Sequence, residues 1–321
     1  MDVTQATGGR IYGAHVQLTP AIMLNVYLVK GDHYAVWIDS GTAQMFPLFL
    51  ETMQAAGVAH QDLRFILHTH SHHDHIGSNG QLADATGCLV AAHRMYAAWH
   101  ADFEVQYQEL ARPFPALMPD TPELREEVLG ILDHPHPIDL FIDEGVQFNL
   151  GGATLRPYLL PGHMLVEFGW FEAETRTLIL GDAVTGLDWP IFHSHLTVAG
   201  YRNTLNRIAE LVHELDVQLI LFAHFPPMRP AELAPLLDQA RAYIDEIETT
   251  MLTILDEGPA TLEQLWRGTC TRMDREVEFR SLNMVKAHMD DLVERGLARN
   301  VGDERYELSQ HGAGRRAASV V

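Results

Sequence analysis

A histidine-rich segment carries the strongest chemical signal in the chain. Residues 69–75 read THSHHDH directly after an apolar stretch that predicts a strand, and they supply four potential metal ligands: His70, His72, Asp74 and His75. Because a loop at the end of a strand can direct alternate side chains toward one point, His70 and His72 can share one metal ion. Asp74 and His75 can then face a neighbouring position. The alternative is a chance cluster of core or surface histidines, which this density disfavours.

Three more potential ligands follow predicted strands later in the chain. They are His163 in LLPGH, Asp182 after LILG, and His224 in LFAH. Each would be ordinary alone, but with the first four they suit two metal ions that have three protein ligands each and share a carboxylate. Such a set leaves coordination positions open for water, as a catalytic site requires.

These motifs resemble those of a known family. THSHHDH is similar to the T-H-x-H-x-D-H signature of the metallo-β-lactamase superfamily. The segments WIDSG, PGH, GD and the late AH are similar to its other landmarks, in the same order, over about residues 12–230. The resemblance implies an α/β fold, the αββα metallo-β-lactamase sandwich, with the site at one edge.

The resemblance also implies a role for each ligand. Asp182 would bridge the two metal ions, and Asp39 in WIDSG would orient the ligand loops without binding metal. His68 is expected to be structural and His73 to face away from the metals. The implied ligands are His70, His72 and His163 for the first ion, and Asp74, His75 and His224 for the second.

This ligand set predicts hydrolytic chemistry. Two cations on one water lower its pKa from about 16 toward 7, and the resulting hydroxide attacks a carbonyl or phosphorus centre. Zinc is the expected metal, with Mn, Fe or Co as alternatives, and Asp74 and Asp182 are the candidate catalytic residues. The expected substrate is a small ester, lactone, thioester or amide. The alternatives are a phosphodiesterase or ribonuclease, a single-iron thiol dioxygenase, and a metal-containing DNA-binding sensor.

Residues 93–138 interrupt the strand pattern with aromatic residues, methionines and prolines, and they predict a helical insertion. The insertion could be a lid that shapes an apolar substrate pocket, or it could pack on its own helices or make a dimer contact. Met164 follows PGH where many members of the superfamily have Thr, which favours an apolar wall. His193 and His195 could line the pocket or belong to an ordinary loop. The candidate pocket residues are Trp99, Phe103, Tyr107, Phe114, Met118, Met164, His193 and His195.

The chain changes character after about residue 240. A helix over 242–256, a short helix, a longer helix and a two-stranded wing with a Gly-Asp turn are typical of a winged-helix domain. We therefore predict a catalytic domain over 1–240, a winged-helix-like domain over 241–310 with a structural or dimerising role, and a disordered tail over 311–321.

Charge and composition limit the partners. The 321 residues carry a net charge of −21, so the chain repels nucleic acids and anionic membranes. No long apolar run predicts a transmembrane helix. The two cysteines, Cys88 and Cys270, predict no disulfide framework and fit a reducing cytoplasm. The expected partner is a small-molecule substrate, with a homodimer as a further option.

We expect no salt-dependent binding to duplex DNA, because residues 241–321 carry 11 basic and 15 acidic side chains. Fluorescence anisotropy of a labelled duplex, titrated with the protein at low and at physiological salt, measures this. Tight binding that weakens steeply with salt would contradict the expectation and would favour the DNA-binding sensor.

Overall fold

The structure, a computed structural model, describes residues 1–184, 192, 195–303 and 305–309. His193, a candidate pocket residue, lies outside the described residues. No helix in the described part of the chain is long and apolar enough to cross a membrane. Contacts between residues divide the chain into two units. The first comprises Met1–Leu160, Val166–Ala183 and Arg207–Ala234, and the second comprises Pro161–Leu165 and the described residues of Val184–Asn206 and Pro235–Val321.

The first unit contains a mixed sheet, called sheet 1, whose strands stand in chain order. Residues 24–29 of its second strand are all buried, as their largely apolar sequence favours. The strands are β1 (Ile11–Gln17), β2 (Met23–Lys30), β3 (Ala35–Ile38), β4 (Leu63–Leu67), β5 (Leu89–Ala92) and β6 (Leu140–Phe141). Strands β1 to β3 pair antiparallel, whereas β3 to β6 pair parallel.

A second sheet, sheet 2, packs against sheet 1. Its strands are β7 (Phe148–Asn149), β8 (Thr154–Leu159), β9 (Phe168–Glu172), β10 (Thr177–Ile179) and β11 (Leu219–Leu221), in the spatial order β11-β10-β9-β8-β7. Strands β10 and β11 pair parallel. Phe148 of β7 lies with its ring centroid 5.3 Å from that of Phe65 on β4 and 5.9 Å from that of Trp170 on β9. Aromatic rings therefore fill the space between the two sheets.

Helix α2 (Phe46–Ala56) covers the other face of sheet 1. It has a proline in its first turn and ends at the left-handed Gly57, and these two residue types favour the start and the end of a helix. Its Phe49 packs edge-on against Trp37 of β3, with ring centroids 4.7 Å apart. Trp37 pairs with Ile66, the neighbour of Phe65, so Trp37 and Phe65 point to opposite faces. The other helices are α1 (Val3–Ala6), α3 (His73–Ile76), α4 (Asn79–Thr86), α5 (Ala97–Ala101), α6 (Phe103–Leu110), α7 (Pro122–Leu129), α8 (Val198–Glu214), α9 (Pro230–Asp256), α10 (Leu262–Arg272) and α11 (Phe279–Glu294).

The segment 93–138 carries three of these helices, α5, α6 and α7. Phe103 of α6 packs in a buried cluster with Leu132 and with Ile76, the last residue of α3. Because α3 contains the end of the histidine-rich motif, this cluster places the insertion directly against that motif.

The C-terminal part of the second unit combines two helices with a small antiparallel sheet, sheet 3. Thr261 and Gln264 form a capping box at the start of α10. Nε1 of Trp266 on α10 donates to Oγ of Ser281 on α11 at 2.7 Å. The strands of sheet 3 are β12 (Ala260–Thr261), β13 (Ala298–Asn300) and β14 (Arg305–Leu308), in the order β12-β14-β13. The winged-helix interpretation of this region stays a prediction.

Helix α9 is longer than the sequence pattern predicts. The expected helix begins at residue 242, whereas α9 begins at Pro230 and continues through Pro235. Proline is tolerated at the first position of a helix but usually interrupts its interior. Because of these prolines, the sequence pattern did not predict about the first three turns of the helix.

Gly31 marks a close approach between sheets 1 and 2. A Cβ atom added there would lie 2.0 Å from the carbonyl oxygen of Leu150, whereas one added at Gly13 on β1 would lie 3.7 Å from the ring of Tyr27. We expect Gly31→Ala to lower the free energy of unfolding by about 1–3 kcal/mol or more and Gly13→Ala to change it little. Urea unfolding measures both. Equal midpoints for the two variants would contradict the close approach.

Candidate metal centre

The candidate ligands stand at the carboxyl ends of strands. Strand β4 ends just before residues 69–75, here called the ligand loop, and the parallel strand β3 ends before Asp39. In sheet 2 the parallel strands β10 and β11 lead into Asp182 and His224. Because the carboxyl ends of parallel neighbours meet at one edge of a sheet, residues from distant parts of the chain come together here.

The first group of potential ligands is buried. It comprises His70, His72, His163 and Asp182, whose ligand atoms all lie within 4.8 Å of one another. His163 belongs to the loop Pro161–Leu165, which is counted with the second unit but is joined at both ends to residues of the first.

The second group adjoins the first through Asp182. It comprises Asp74, His75 and His224, again with ligand atoms within 4.8 Å of one another. Oδ1 of Asp182 lies 3.6 Å from Nε2 of His75, and Oδ2 lies 3.4 Å from Nε2 of His224. The same Oδ2 lies 4.0 Å from Nε2 of His70 in the first group. Asp182 is thus within reach of both groups.

The spacing and chemistry of these atoms fit metal ions. Two ligand atoms that each lie about 2.1 Å from a tetrahedral ion stand about 3.4 Å apart. Nε2 of His224 lies 3.4 Å from Oδ2 of Asp74, and Nε2 of His75 lies 3.8 Å from the same oxygen. Among the described residues, the buried Nε2 of His75 has no hydrogen-bond partner. Imidazole nitrogens combined with carboxylate oxygens suit zinc and similar divalent ions.

The opposite ring nitrogens of these histidines are held by other groups. Nδ1 of His224 donates to the carbonyl of Met23 at 2.6 Å, and Nδ1 of His75 donates to Oδ2 of Asp39 at 3.0 Å. A carbonyl oxygen and an ionised carboxylate can only accept, so both rings carry a proton on Nδ1. Nε2 of each ring is therefore the atom available to a metal.

Asp39 ties the end of β3 to the ligand loop. Its carboxylate also accepts from the backbone N–H and from the hydroxyl of Thr69, both at 2.8 Å. Burial raises the pKa of Asp39, but His75 and His68 outweigh this effect and lower that pKa below its usual value. The backbone of Asp39 stands in the left-handed region with φ 64°, which Asp tolerates better than most residues.

The carboxylates dominate the electrostatics of the second group. Burial lowers the pKa of His224, but Asp182 and Asp74 outweigh this effect and raise that pKa to about 10. Burial raises the pKa of Asp74, but His75 and His224 outweigh it and hold that pKa well below its usual range. Such a group attracts positive charge, and a metal ion would bind there by displacing protons.

Glu167 is a buried carboxylate that the sequence analysis missed. Its side chain is fully buried, and Oε1 accepts from the backbone N–H of Asp182 at 2.7 Å and lies 3.7 Å from Nδ1 of His70. Burial, and then the charge of Asp182, raise the pKa of Glu167 well above its usual range. The available signal was an acidic residue inside the apolar run LVEFGWF, because a buried carboxylate has to be hydrogen-bonded or neutral.

The described pocket candidates of the insertion stand outside both ligand groups. Nε1 of Trp99 donates to Glu109 at 2.6 Å, and the hydroxyl of Tyr107 donates to Asp120 at 2.8 Å. Phe103 belongs to the buried cluster that contacts α3. These contacts lie within the insertion or against the motif beside it, and a role in substrate binding stays a prediction.

The remaining pocket candidates differ in burial. Phe114 and Met118 are half-buried, whereas Met164 and His195 are buried. His195 belongs to the second unit, where its Nε2 lies 2.9 Å from Nε2 of His288. Phe114 and Met118 therefore have the most surface left to offer a substrate.

Comparison with known sequences identifies relatives. Residues 20–224 match the sequence profile of the metallo-beta-lactamase superfamily. The hydroxyacylglutathione hydrolase of Methylococcus capsulatus is 27% identical over 218 residues, which span 67% of this chain and 68% of that protein. The lactamase-like protein vrtG of Penicillium aethiopicum is 26% identical over 226 residues, which span 66% of this chain and 60% of that protein. The match thus covers about three fifths of the fungal relative.

Two solved structures share the fold over most of the chain. A metallo-beta-lactamase family protein from Thermus thermophilus has a TM-score of 0.74 at 22% identity, covering 93% of this chain and 98% of that one. A beta-lactamase domain protein from Burkholderia ambifaria has a TM-score of 0.69 at 18% identity, covering 94% and 93%. Since the superfamily profile also matches more than half of the sequence, the chain belongs to the metallo-beta-lactamase superfamily.

Proposed function

We propose that this protein is a binuclear metallohydrolase that cleaves a small ester, lactone, thioester or amide. The proposal depends on the position of Asp182, whose two oxygens face Nε2 of His75 and Nε2 of His224 and also approach the first group. A carboxylate in that position can bridge two ions. The proposed ligands are His70, His72 and His163 for the first ion, Asp74, His75 and His224 for the second, and Asp182 for both.

Two bound ions, for which zinc is the proposed metal, would lower the pKa of a water from about 16 toward 7 and polarise the acyl oxygen. The side chain of Asp74 is 17% exposed, against 4% for His224 and 2% for Asp182. Asp74 is therefore the most accessible of these three side chains to water. We assign Asp74 the transfer of a proton from the attacking water to the leaving group. The buried Asp182 would hold the first and second groups of ligands together.

A thioester is the favoured member of the proposed substrate class. One relative is named hydroxyacylglutathione hydrolase, and that name gives its substrate as glutathione that carries a hydroxyacyl group. An acyl group on the thiol of glutathione is a thioester. The half-buried Phe114 and Met118 of the insertion are the proposed contacts for an apolar acyl chain.

The alternative functions make different demands on the site. A single-iron thiol dioxygenase needs one ligand group, and the second group of Asp74, His75 and His224 counts against it. A phosphodiesterase or ribonuclease has to bind a polyanion, which a net charge of −21 opposes.

We expect the protein to bind about two zinc ions per chain. It should hydrolyse acyl substrates only when these zinc ions are bound. Metal analysis gives the stoichiometry, and turnover is measured on an S-acyl glutathione, an aryl ester, a lactone and RNA. Chelation should abolish turnover, and added zinc should restore it. One iron per chain with no second ion at saturation would refute the binuclear site, and turnover of RNA alone would favour the phosphodiesterase.

Two variants distinguish the proposed metal ligation by Asp182 from the support that Asp39 gives to the ligand loop. They are Asp182→Asn and Asp39→Asn, and each replaces a carboxylate by an amide of the same shape. We expect Asp182→Asn to lose one ion and nearly all turnover, because an amide is a poor bridging ligand. Asp39→Asn should keep both ions at saturating zinc, with an affinity lowered about 10- to 100-fold. The readouts are metal content and kcat at saturating zinc. Equal and complete metal loss in both variants would show that the assigned roles are wrong.

A further inference from the structure

A chain of buried polar side chains runs behind the ligand loop. Each of its members is 3% exposed or less. In order of contact they are Asp39, His68, Asn79, His100 and Ser71. The motifs WIDSG and THSHHDH contain Asp39 and Ser71, the two ends of this chain, but neither contains Asn79 on α4 or His100 on α5.

The contacts of the chain are short and continuous. The ring of His68 joins Asp39 to Asn79, with Nδ1 3.3 Å from Oδ1 of Asp39 and Nε2 3.0 Å from Oδ1 of Asn79. Nδ2 of Asn79 lies 3.3 Å from Nδ1 of His100. Nε2 of His100 lies 2.9 Å from Oγ of Ser71. One buried path therefore connects α4 and α5 to the ligand loop.

Both ends of the path act on the ligand loop. At one end Asp39 accepts from Nδ1 of His75. At the other end Ser71 stands between His70 and His72, so a change in its position moves both of these side chains. Gln106 on α6 supports the same point, since its Nε2 donates to the carbonyl of Ser71 at 2.6 Å.

The direction of the hydrogen bonds at His100 follows from its surroundings. Burial, and then the charge of His68, hold the pKa of His100 well below its usual value, so its ring is neutral. A neutral ring has one donor and one acceptor nitrogen. Nδ1 accepts from the amide of Asn79, and Nε2–H therefore donates to Oγ of Ser71. His100 thus holds Ser71 through a directed bond rather than through packing alone.

We propose that His100 and Asn79 are positioning residues that hold Ser71 and thereby set the separation of His70 and His72 for metal binding. The proposal rests on the metal ligation proposed above. It assigns the insertion a role at the metal centre that is separate from any contact with substrate, because His100 lies on α5 and touches the back of the ligand loop.

Two conservative variants distinguish the two hydrogen bonds of His100, one to Ser71 and one to Asn79. In His100→Gln the side-chain amide reaches the place of Nε2 and can still meet Ser71. In His100→Asn the amide reaches only the place of Nδ1 and can meet Asn79 but not Ser71. His100→Phe removes both hydrogen bonds but keeps an aromatic ring. The matched control is Ser281→Ala, which removes a buried hydrogen bond between Trp266 and Ser281 in the second unit.

The experiment measures zinc affinity by competition with a chromophoric chelator, the visible spectrum of the Co²⁺-loaded protein, and urea stability for every variant. We expect His100→Phe and His100→Asn to weaken zinc binding about 10- to 100-fold and to change the Co²⁺ spectrum. His100→Gln should keep most of the affinity. Ser281→Ala should lose stability but keep the affinity and the spectrum of the unaltered protein.

If His100→Phe does not fold, Ser71→Ala and the Gln and Asn variants carry the test. Ser71→Ala should weaken zinc binding. Adding His100→Asn to Ser71→Ala should cause little further loss of zinc affinity, because both changes break the same contact between His100 and Ser71. Wild-type affinity and spectrum in His100→Asn, or equal affinities of the Gln and Asn variants, would overturn the proposal. A wild-type protein that binds no metal would instead refute the proposed function.

Discussion

The site depends on the burial of one carboxylate, that of Asp39. An ionised carboxylate inside a protein is unfavourable unless donors surround it, and here they come from Thr69, His75 and His68. Two of these residues belong to the ligand loop, so the bonds that make the charge tolerable also determine the course of that loop. A candidate metal ligand such as His75 is therefore already oriented by the protein, which would lower the conformational cost of binding an ion.

The second requirement is a close approach between the two sheets. Gly181 precedes Asp182 with φ 55°, and a Cβ atom there would lie 2.7 Å from Oγ1 of Thr69. The missing side chain lets the end of β10 meet the ligand loop, and the same approach brings Asp182 within reach of both ligand groups. Sheet 1 thus leads into the ligand loop, which contains most of the candidate histidine ligands. Sheet 2 leads into Asp182, whose carboxylate lies between the two ligand groups.

Local signals made the candidate ligands and several elements predictable. The ligand loop is a compact motif at the end of an apolar strand, and α2 is framed by a proline and by Gly57. The partners of Glu167 and His100 were not predictable, because they lie 15 and 29 residues away in the sequence. Only the folded chain shows which buried polar groups meet. The start of α9 escaped because its prolines are typical of a loop and are tolerated here within a long helix.

The bond from Gln106 to the carbonyl of Ser71 has a consequence for the engineering of this fold. A loop of this length invites modular exchange, in which a relative's insertion is grafted to import a new substrate preference. Here such a graft would also remove a backbone support of the ligand loop, so a chimera would disturb the candidate metal ligands before a new preference is measured. Diversification confined to half-buried positions such as Phe114 and Met118 leaves that support in place. The boundary between an exchangeable module and its scaffold therefore runs through the insertion itself.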